Sequence, residues 1–240
     1  MLFTRSVVLR CSAAFALALG TATAGSVPAH AATTFELARW EMNEGPDAAL
    51  MVDSSVNAIV GVPGSSVITG AGRTSTYYRF PHFTRQATVP ADSRRLVLVA
   101  EPRLNPGGRD YAVKFRFRTT RSFGNLIQKG QSGAVGGYFK LQAPRGVVGC
   151  LFRGADGSRS VNSGVALNDG RWHTVKCKRT VDRVVMTIDG SKTRRAFGPT
   201  GDISNDVPLT IGGKLNCDQV VVDCDYFDGD MDRVVIKTSG

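Results

Sequence analysis

The sequence predicts an all-β protein built as a two-sheet antiparallel sandwich, and three observations support that fold class. Apolar residues recur at every second position, as at Val113, Phe115 and Phe117. This period buries one face of a strand and leaves the other face in water. The acidic residues are 16 Asp and only four Glu, and Asp favours turns whereas Glu favours helices. Turn signals such as Asp189-Gly190 separate the alternating segments.

Further strands are expected wherever a short apolar or alternating run lies between turn residues. They are predicted at 36–42, 76–80, 95–100, 124–129, 137–142, 147–153, 175–178, 184–188, 207–212 and 231–237. So many short strands with one buried face favour two packed sheets. No break in composition divides residues 32–240, so we predict a single domain.

The first 31 residues are predicted to be a secretory signal peptide. Arg5 and Arg10 make the N-terminal region positive, and the apolar stretch 11–24 is too short to span a membrane. Ala29-His30-Ala31 matches an A-x-A cleavage site. The alternative is a buried N-terminal helix. No other apolar run is long enough to span a bilayer, so we expect a secreted, extracellular chain without membrane insertion.

Candidate catalytic residues are scarce in this sequence. Beyond residue 31 the only histidines are His82, which has no visible partner, and His173, which we interpret as structural. The chain lacks a G-x-S-x-G elbow, an H-E-x-x-H motif and a Gly-rich phosphate loop. Outside the C-terminal Asp run, no strand carries the alternating carboxylates that could hydrolyse a glycoside. We therefore predict no catalytic residue and no enzymatic activity.

Four cysteines remain after removal of residues 1–31, and an even number predicts two disulfides in an exported chain. Three pairings are possible. Cys150–Cys177 together with Cys217–Cys224 is the simplest, because each bond closes a local loop. The alternation also directs Cys150 and Cys177 towards the core. The alternative is a zinc site, although the close C-x-x-C pairs usual in zinc sites are missing.

Charge is unevenly distributed along the chain. The sequence has 30 Lys and Arg against 20 Asp and Glu, a formal net charge of +10. Alternation places five basic residues on the wet faces of two strands: Lys114, Arg116, Arg118, Lys176 and Lys178. If these strands are neighbours, the residues form a cationic patch that attracts anionic glycans or cell-wall polymers. The alternative is a surface that only confers solubility. No aromatic residues interleave with these positions, so we expect no nucleic acid partner.

Six aspartates crowd the C-terminal region within fifteen residues: Asp218, Asp223, Asp225, Asp228, Asp230 and Asp232. Carboxylates this close repel one another unless they are solvated or neutralised by a cation such as calcium. The spacing does not match an EF-hand loop. A calcium site and a solvated acidic loop held by Cys217–Cys224 both remain open.

Several segments, taken together, resemble laminin G-like domains of the concanavalin A-like lectin/glucanase superfamily. They occur in the family's order and span residues 36–237. The segments are WEMNEG at 40–45 with DSSVN at 53–57, DGRWHTV at 169–175, IDG at 188–190, LTIGG at 209–213 and YFDGDMDRVVI at 226–236.

The resemblance implies a jelly-roll sandwich over residues 32–240 that binds glycans or proteins, often with calcium. It places a structural calcium ion at Asp232, with Asp53 as a second ligand. The family usually has Gly after its Asp-Ser-Ser turn, whereas this chain has Val56. The Glu-Asp-Glu strand of the glucanase members is absent.

The function predicted from the sequence is a secreted, non-catalytic binding module for carbohydrate or an extracellular polymer. The alternatives are a secreted polysaccharide hydrolase or lyase of the same fold, and a structural adhesion domain. A cleft that holds two carboxylates within about 10 Å of each other would favour the enzyme.

Overall fold

Short strands account for nearly all the regular structure in this computed structural model, which describes residues 33–72, 76–83, 94–215 and 225–240. The strands are β1 (Thr34–Trp40), β2 (Val62–Pro63), β3 (Ile68–Ala71), β4 (Tyr77–Phe80), β5 (Val97–Val99), β6 (Tyr111–Arg118), β7 (Asn125–Lys129), β8 (Tyr138–Gln142), β9 (Val147–Gly154), β10 (Gly157–Ala166), β11 (His173–Arg179), β12 (Arg183–Ile188), β13 (Lys192–Phe197), β14 (Leu209–Ile211) and β15 (Gly229–Ser239). Two 3-10 turns, Pro102–Leu104 and Pro144–Gly146, interrupt them. No helix in these ranges is long and apolar enough to cross a membrane.

The strands form two antiparallel sheets. The eight-stranded sheet has the order β13-β12-β11-β6-β15-β4-β3, and β1 also pairs with β15. The seven-stranded sheet has the order β10-β9-β8-β7-β14-β5-β2. This arrangement confirms the predicted all-β class and is that of a jelly-roll sandwich.

The sequence analysis did not predict four of the observed strands, and all four lie at sheet edges. They are β2, β3, β10 and β13. In β13 the residues Lys192 to Arg195 are all exposed, so the strand carries no apolar alternation. Edge strands rich in charge are common because charge discourages pairing with another chain. The same polarity removes the pattern from which a strand is recognised.

The core lies between the two sheets and is filled by the apolar positions of the alternating strands. Val113, Phe115 and Phe117 of β6 are fully or almost fully buried, as predicted. Aromatic rings join the sheets at one end of the core. The centroid of the Tyr111 ring lies 5.4 Å from that of Phe139, on a strand of the opposite sheet. Such ring pairs stabilise a core beyond the area that they bury.

A buried arginine holds the loops at the end of β11. Arg179 is 2% exposed, and its guanidinium donates to the main-chain carbonyls of Gly107, Arg109 and Gly201. Burial lowers the pKa of this guanidinium. The carbonyl oxygens satisfy its N–H groups, which a buried cation requires. The contacts fix the 106–110 and 200–202 loops against the eight-stranded sheet.

One predicted disulfide joins the two sheets. Cys150 of β9 and Cys177 of β11 are bonded, with their Cα atoms 6.4 Å apart. Both residues are fully buried, as their alternation predicted. The pair Cys217–Cys224 lies outside the described residues.

Replacing both cysteines, as Cys150→Ala with Cys177→Ala, should lower the free energy of unfolding by about 3–4 kcal/mol. The bond closes a segment with a sequence separation of 27 and so restricts the unfolded chain. Urea denaturation followed by tryptophan fluorescence measures the change. The comparison variant is Cys217→Ala with Cys224→Ala, which leaves the inter-sheet bond intact and should lower the free energy of unfolding by less, about 2–3 kcal/mol, because the predicted loop is shorter. Equal stability of wild type and the Cys150/Cys177 variant would contradict the assignment.

Candidate functional site

The outer face of the eight-stranded sheet brings together the basic residues that the alternation singled out. We call Lys114, Arg116, Arg118, Lys176 and Lys178 the basic face. Strands β6 and β11 are hydrogen-bonded neighbours, and Lys176 lies directly opposite Lys114. The inward residues of the same strands are buried. The condition on which the predicted cationic patch depended, that the two strands be adjacent, is therefore met.

Three members of the basic face are neutralised by acidic side chains. The pairs are Lys178–Asp110 (Nζ to Oδ2, 2.9 Å), Arg118–Asp230 (Nε to Oδ2, 2.7 Å) and Arg116–Asp232. Ion pairs near a protein surface contribute little to stability but cancel local charge. These three residues therefore add little to the net positive potential of the face.

Lys114 and Lys176 are different because both are exposed and neither forms a salt bridge to any described residue. Their flanking positions in the same row of the sheet are the uncharged Val235, opposite Lys114, and Thr187, opposite Lys176. Like charges directly opposite each other across a sheet are destabilising. An external anion placed over this pair would remove the repulsion.

Aromatic residues do lie on this face, so the expectation that none would was wrong. The Trp172 ring centroid is 4.3 Å from the Arg116 guanidinium carbon and 4.8 Å from that of Arg118. Tyr77 meets Trp172 edge-on, with the ring centroids 5.5 Å apart. Trp172 precedes β11 and continues the alternation of Thr174 and Lys176, a signal that could have placed it here. Tyr77 comes from a distant strand and gave no such signal.

The described members of the Asp run are each held near a basic side chain. The contacts are Asp225 with Lys214 (2.7 Å), Asp228 with His82 (2.6 Å), Asp230 with Arg79 (2.8 Å) and Arg118 (2.7 Å), and Asp232 with Arg116. Asp218 and Asp223 lie outside the described residues. Basic side chains of the protein itself therefore lie against these crowded carboxylates.

His82, for which the sequence showed no partner, lies against one of these carboxylates. Its Nδ1 is 2.6 Å from Oδ2 of Asp228, a residue separated from it by 146 positions. Burial raises the pKa of the Asp228 carboxyl, while the His82 ring and the nearby Arg95 and Arg121 oppose that rise. Asp228 and Asp230 line one pocket, at the end of the sheet.

The two predicted calcium ligands have other partners. Both carboxylate oxygens of Asp53 accept hydrogen bonds: Oδ1 from the backbone N–H groups of Arg39 and Ser55, and Oδ2 from the Ser55 hydroxyl and the Ile59 N–H. Four donors occupy the lone pairs that a metal would need, so Asp53 does not fit as a ligand. Asp232 is engaged by Arg116. No group of three or more His, Cys, Asp or Glu residues suited to a metal occurs in the described ranges.

His173 links two turns beside Trp172. Its Nδ1 is 2.9 Å from Asp189 and its Nε2 is 3.0 Å from Asp169. Partial burial lowers the pKa of His173, but the two carboxylates outweigh it, and the net shift is upward. The ring therefore has a structural role at the start of β11, an inner strand of the sheet.

Comparison with known proteins decides the family. A family model described as the laminin G domain matches residues 117–239, from β6 to the end of β15. The chain belongs to the laminin G domain family. Laminin subunit alpha-1 of Mus musculus is 31% identical over 121 aligned positions, a match that covers 45% of this chain and 4% of the laminin subunit. This laminin G chain thus corresponds to a small part of that relative.

Two solved structures share the fold over most of this laminin G chain. Domain 4 of AbnA, a GH43 extracellular arabinanase from Geobacillus stearothermophilus in complex with arabinotriose, has a TM-score of 0.59 and 12% identity; the match covers 86% of this chain and 93% of that domain. The binding domain of botulinum neurotoxin serotype D has a TM-score of 0.54 and 12% identity, covering 85% of this chain and 46% of that one. At this identity the likeness establishes the fold alone.

The stability that His173 contributes should depend on pH. Because the folded pKa is raised, the contribution is complete below the unfolded pKa of about 6.5 and is lost as pH rises through the folded pKa. We expect the difference in unfolding free energy between wild type and His173→Gln to shrink across that window. Urea denaturation at a series of pH values measures it. A difference that is constant with pH would contradict this role.

Proposed function

We propose that this laminin G domain is a non-catalytic binding module that holds an anionic glycan or cell-surface polymer on its basic face. The opposed, unpaired lysines Lys114 and Lys176 carry the proposal. They are the positions on the face where an external anion gains attraction without first displacing an acidic side chain.

The chemistry of the surrounding face also suits a polymer. Rows of side chains in neighbouring strands are about 4.8 Å apart, and alternate residues along a strand are about 7 Å apart. The basic face therefore offers two unpaired lysines, with the ion-paired Arg116 and Arg118 beside them, within the length of a short oligosaccharide. The Trp172 ring adds an apolar surface beside them. Weak contacts repeated along a polymer sum to useful avidity.

The comparisons support a carbohydrate or extracellular ligand. Laminin G domains bind carbohydrate or extracellular ligands, and the arabinanase domain of the same fold was solved with arabinotriose. A secreted protein would meet such polymers outside the cell, so removal of residues 1–31 and secretion belong to the proposal.

The enzymatic alternative is favoured by one observation, the presence of Asp228 and Asp230 in the same pocket. Two guanidinium groups occupy both oxygens of Asp230, which leaves it poorly placed to donate a proton or attack a sugar carbon. Release of reducing ends from the bound polysaccharide would show that the alternative is correct.

The decisive variant is Lys114→Gln with Lys176→Gln. We expect it to weaken binding of a sulfated polysaccharide such as heparin about tenfold, because two exposed charged contacts are lost. Binding of the wild type should also weaken as salt concentration rises. Surface plasmon resonance with immobilised polysaccharide measures both effects.

The matched control is Arg145→Asn with Arg153→Gln, which removes the same charge from a strand of the other sheet and the turn before it. Arg153 lies on β9, and Arg145 precedes that strand with a positive φ that Asn tolerates. This variant should bind like wild type. Equal losses in both variants would mean that only net charge matters, and the proposed face would be wrong. Tighter binding to single-stranded DNA than to heparin would assign the face to nucleic acid.

Laminin G domains often bind calcium, and calcium at Asp232 remains part of the proposal. The ion requires Arg116 to release the carboxylate, with main-chain carbonyls completing the coordination. Calcium should then raise the melting temperature by mass action, and Asp232→Asn should abolish the increase. Differential scanning calorimetry in calcium and in EDTA tests this. Identical melting of the wild type in both solutions would leave Asp232 as an ion-pair partner only.

A further inference from the structure

A pocket of about 290 Å³ opens at the end of the eight-stranded sheet, beside the basic face. Three strand ends form it: β4 ends at Phe80, β6 ends at Arg118, and β15 begins at Gly229. Because β15 pairs with both other strands here, Asp230 lies opposite Arg118 on one side and opposite Arg79 on the other. The charged residues of its lining are Arg79, His82, Arg118, Arg121, Asp228 and Asp230.

Asp230 and Tyr77 fix the orientation of two guanidinium groups in this pocket. Arg79 Nε donates to Asp230 Oδ1 at 2.8 Å, and Arg118 Nε donates to Asp230 Oδ2 at 2.7 Å. The Nη2 atoms of both arginines donate to the Tyr77 hydroxyl, at 2.8 and 2.9 Å. Asp230 is buried, so its carboxylate is held in place by the surrounding protein. The two guanidinium groups, which we call the forks, are therefore oriented before a ligand binds.

Each of these forks keeps an unused donor group. Nε and Nη2 of Arg79 and Arg118 are engaged, whereas Nη1 of each has no hydrogen-bond partner among the described residues. Trp172 packs on Arg118 and limits its movement further. Oriented guanidinium N–H groups are the preferred donors to carboxylate, sulfate and phosphate oxygens.

The charge of the pocket also favours an anion. Three arginines and His82 face two carboxylates, so the lining has an excess of positive charge even when His82 is neutral. Arg121 is half exposed, and its Nε lies 3.9 Å from Asp228, too far for a hydrogen bond. Its guanidinium is thus available to a ligand.

The size of the pocket limits what can enter. Ligand pockets run from about 300 to 1,000 Å³, so this one is at the lower end. One sugar unit fits such a volume, and a longer stretch of polymer would have to continue along the basic face.

The geometry points to a recognition pocket for the oxyanion of a single charged sugar unit, held by Nη1 of Arg79, Nη1 of Arg118 and the Arg121 guanidinium. Asp230 and Tyr77 are positioning residues that aim the two forks. The pocket deepens the proposed function, on which it rests for the polymer, by naming the chemistry of one unit of the ligand. Carboxylate, sulfate ester and phosphate ester share this chemistry.

Titration with single sugars tests the pocket without any polymer. The probes are glucuronate, glucose 6-sulfate and glucose 6-phosphate, with glucose as the uncharged reference. We expect at least one charged sugar to bind with a Kd of about 1 mM and to shift the arginine side-chain NMR signals of Arg79, Arg118 and Arg121. Glucose should shift none of them. The sugar with the tightest binding identifies the oxyanion.

Two variants locate the binding. Arg121→Gln removes a half-exposed donor and should weaken binding about tenfold. Arg79→Lys keeps the charge but loses the fork, and it should weaken binding to a similar extent. Arg145→Asn with Arg153→Gln, on the other sheet, should bind as wild type does. A circular dichroism spectrum like that of wild type shows that each variant is folded.

The two proposals fail in different ways. If no charged sugar shifts these three side chains, or if Arg121→Gln and Arg79→Lys bind as wild type does, the pocket is wrong whatever the polymer does. If the Lys114/Lys176 variant keeps full affinity for polymer, the proposed function is wrong, while the pocket stands on its own sugar titration.

Discussion

The strand β15 pairs on both sides along its length, and the outer face of the larger sheet depends on that pairing. Near its start it lies between β4 and β6, and further along it lies between β1 and β6. A central antiparallel strand satisfies its backbone hydrogen bonds on two edges and so fixes the register of both neighbours. This register places Asp230 between Arg79 and Arg118. Sliding β15 by one residue would turn that carboxylate into the core.

A second constraint is the excess of positive charge in a chain with few acids. Most carboxylates of the C-terminal run are used to orient or neutralise arginine and lysine side chains, as Asp232 does with Arg116. On the basic face, the lysines without a salt bridge to any described residue, Lys114 and Lys176, lie directly opposite each other. We therefore propose this point of the face as the place where a polyanion is attracted.

Rigid and adaptable parts of the candidate binding surface are clearly separated. The basic face stands on strands joined to the opposite sheet by Cys150–Cys177 and by the Tyr111 and Phe139 rings. The side chains above it are long and exposed. Such a surface accommodates polymers of varying length, whereas the pocket beside Asp230 has preset donors and suits one defined group. The fold neighbours, at 12% identity, show that this sandwich tolerates very different sequences. We therefore propose that the ligand is chosen by side chains of this kind and not by the fold.

Local patterns in the sequence determined the all-β class, the inward residues of β6 and β11, the inter-sheet disulfide and the set of basic residues on the wet faces. Each of these depends on the two-residue repeat of a strand, which is visible in a few consecutive residues. The tertiary structure alone decided which charges cancel. The order of the strands brings together His82 with Asp228, Arg79 with Asp230, and Trp172 with Arg118. The members of each pair are far apart in the sequence, so the two-residue repeat of a strand does not predict these contacts. The sequence therefore determined which side chains face water, and the order and register of strands decided which of them are left free to bind.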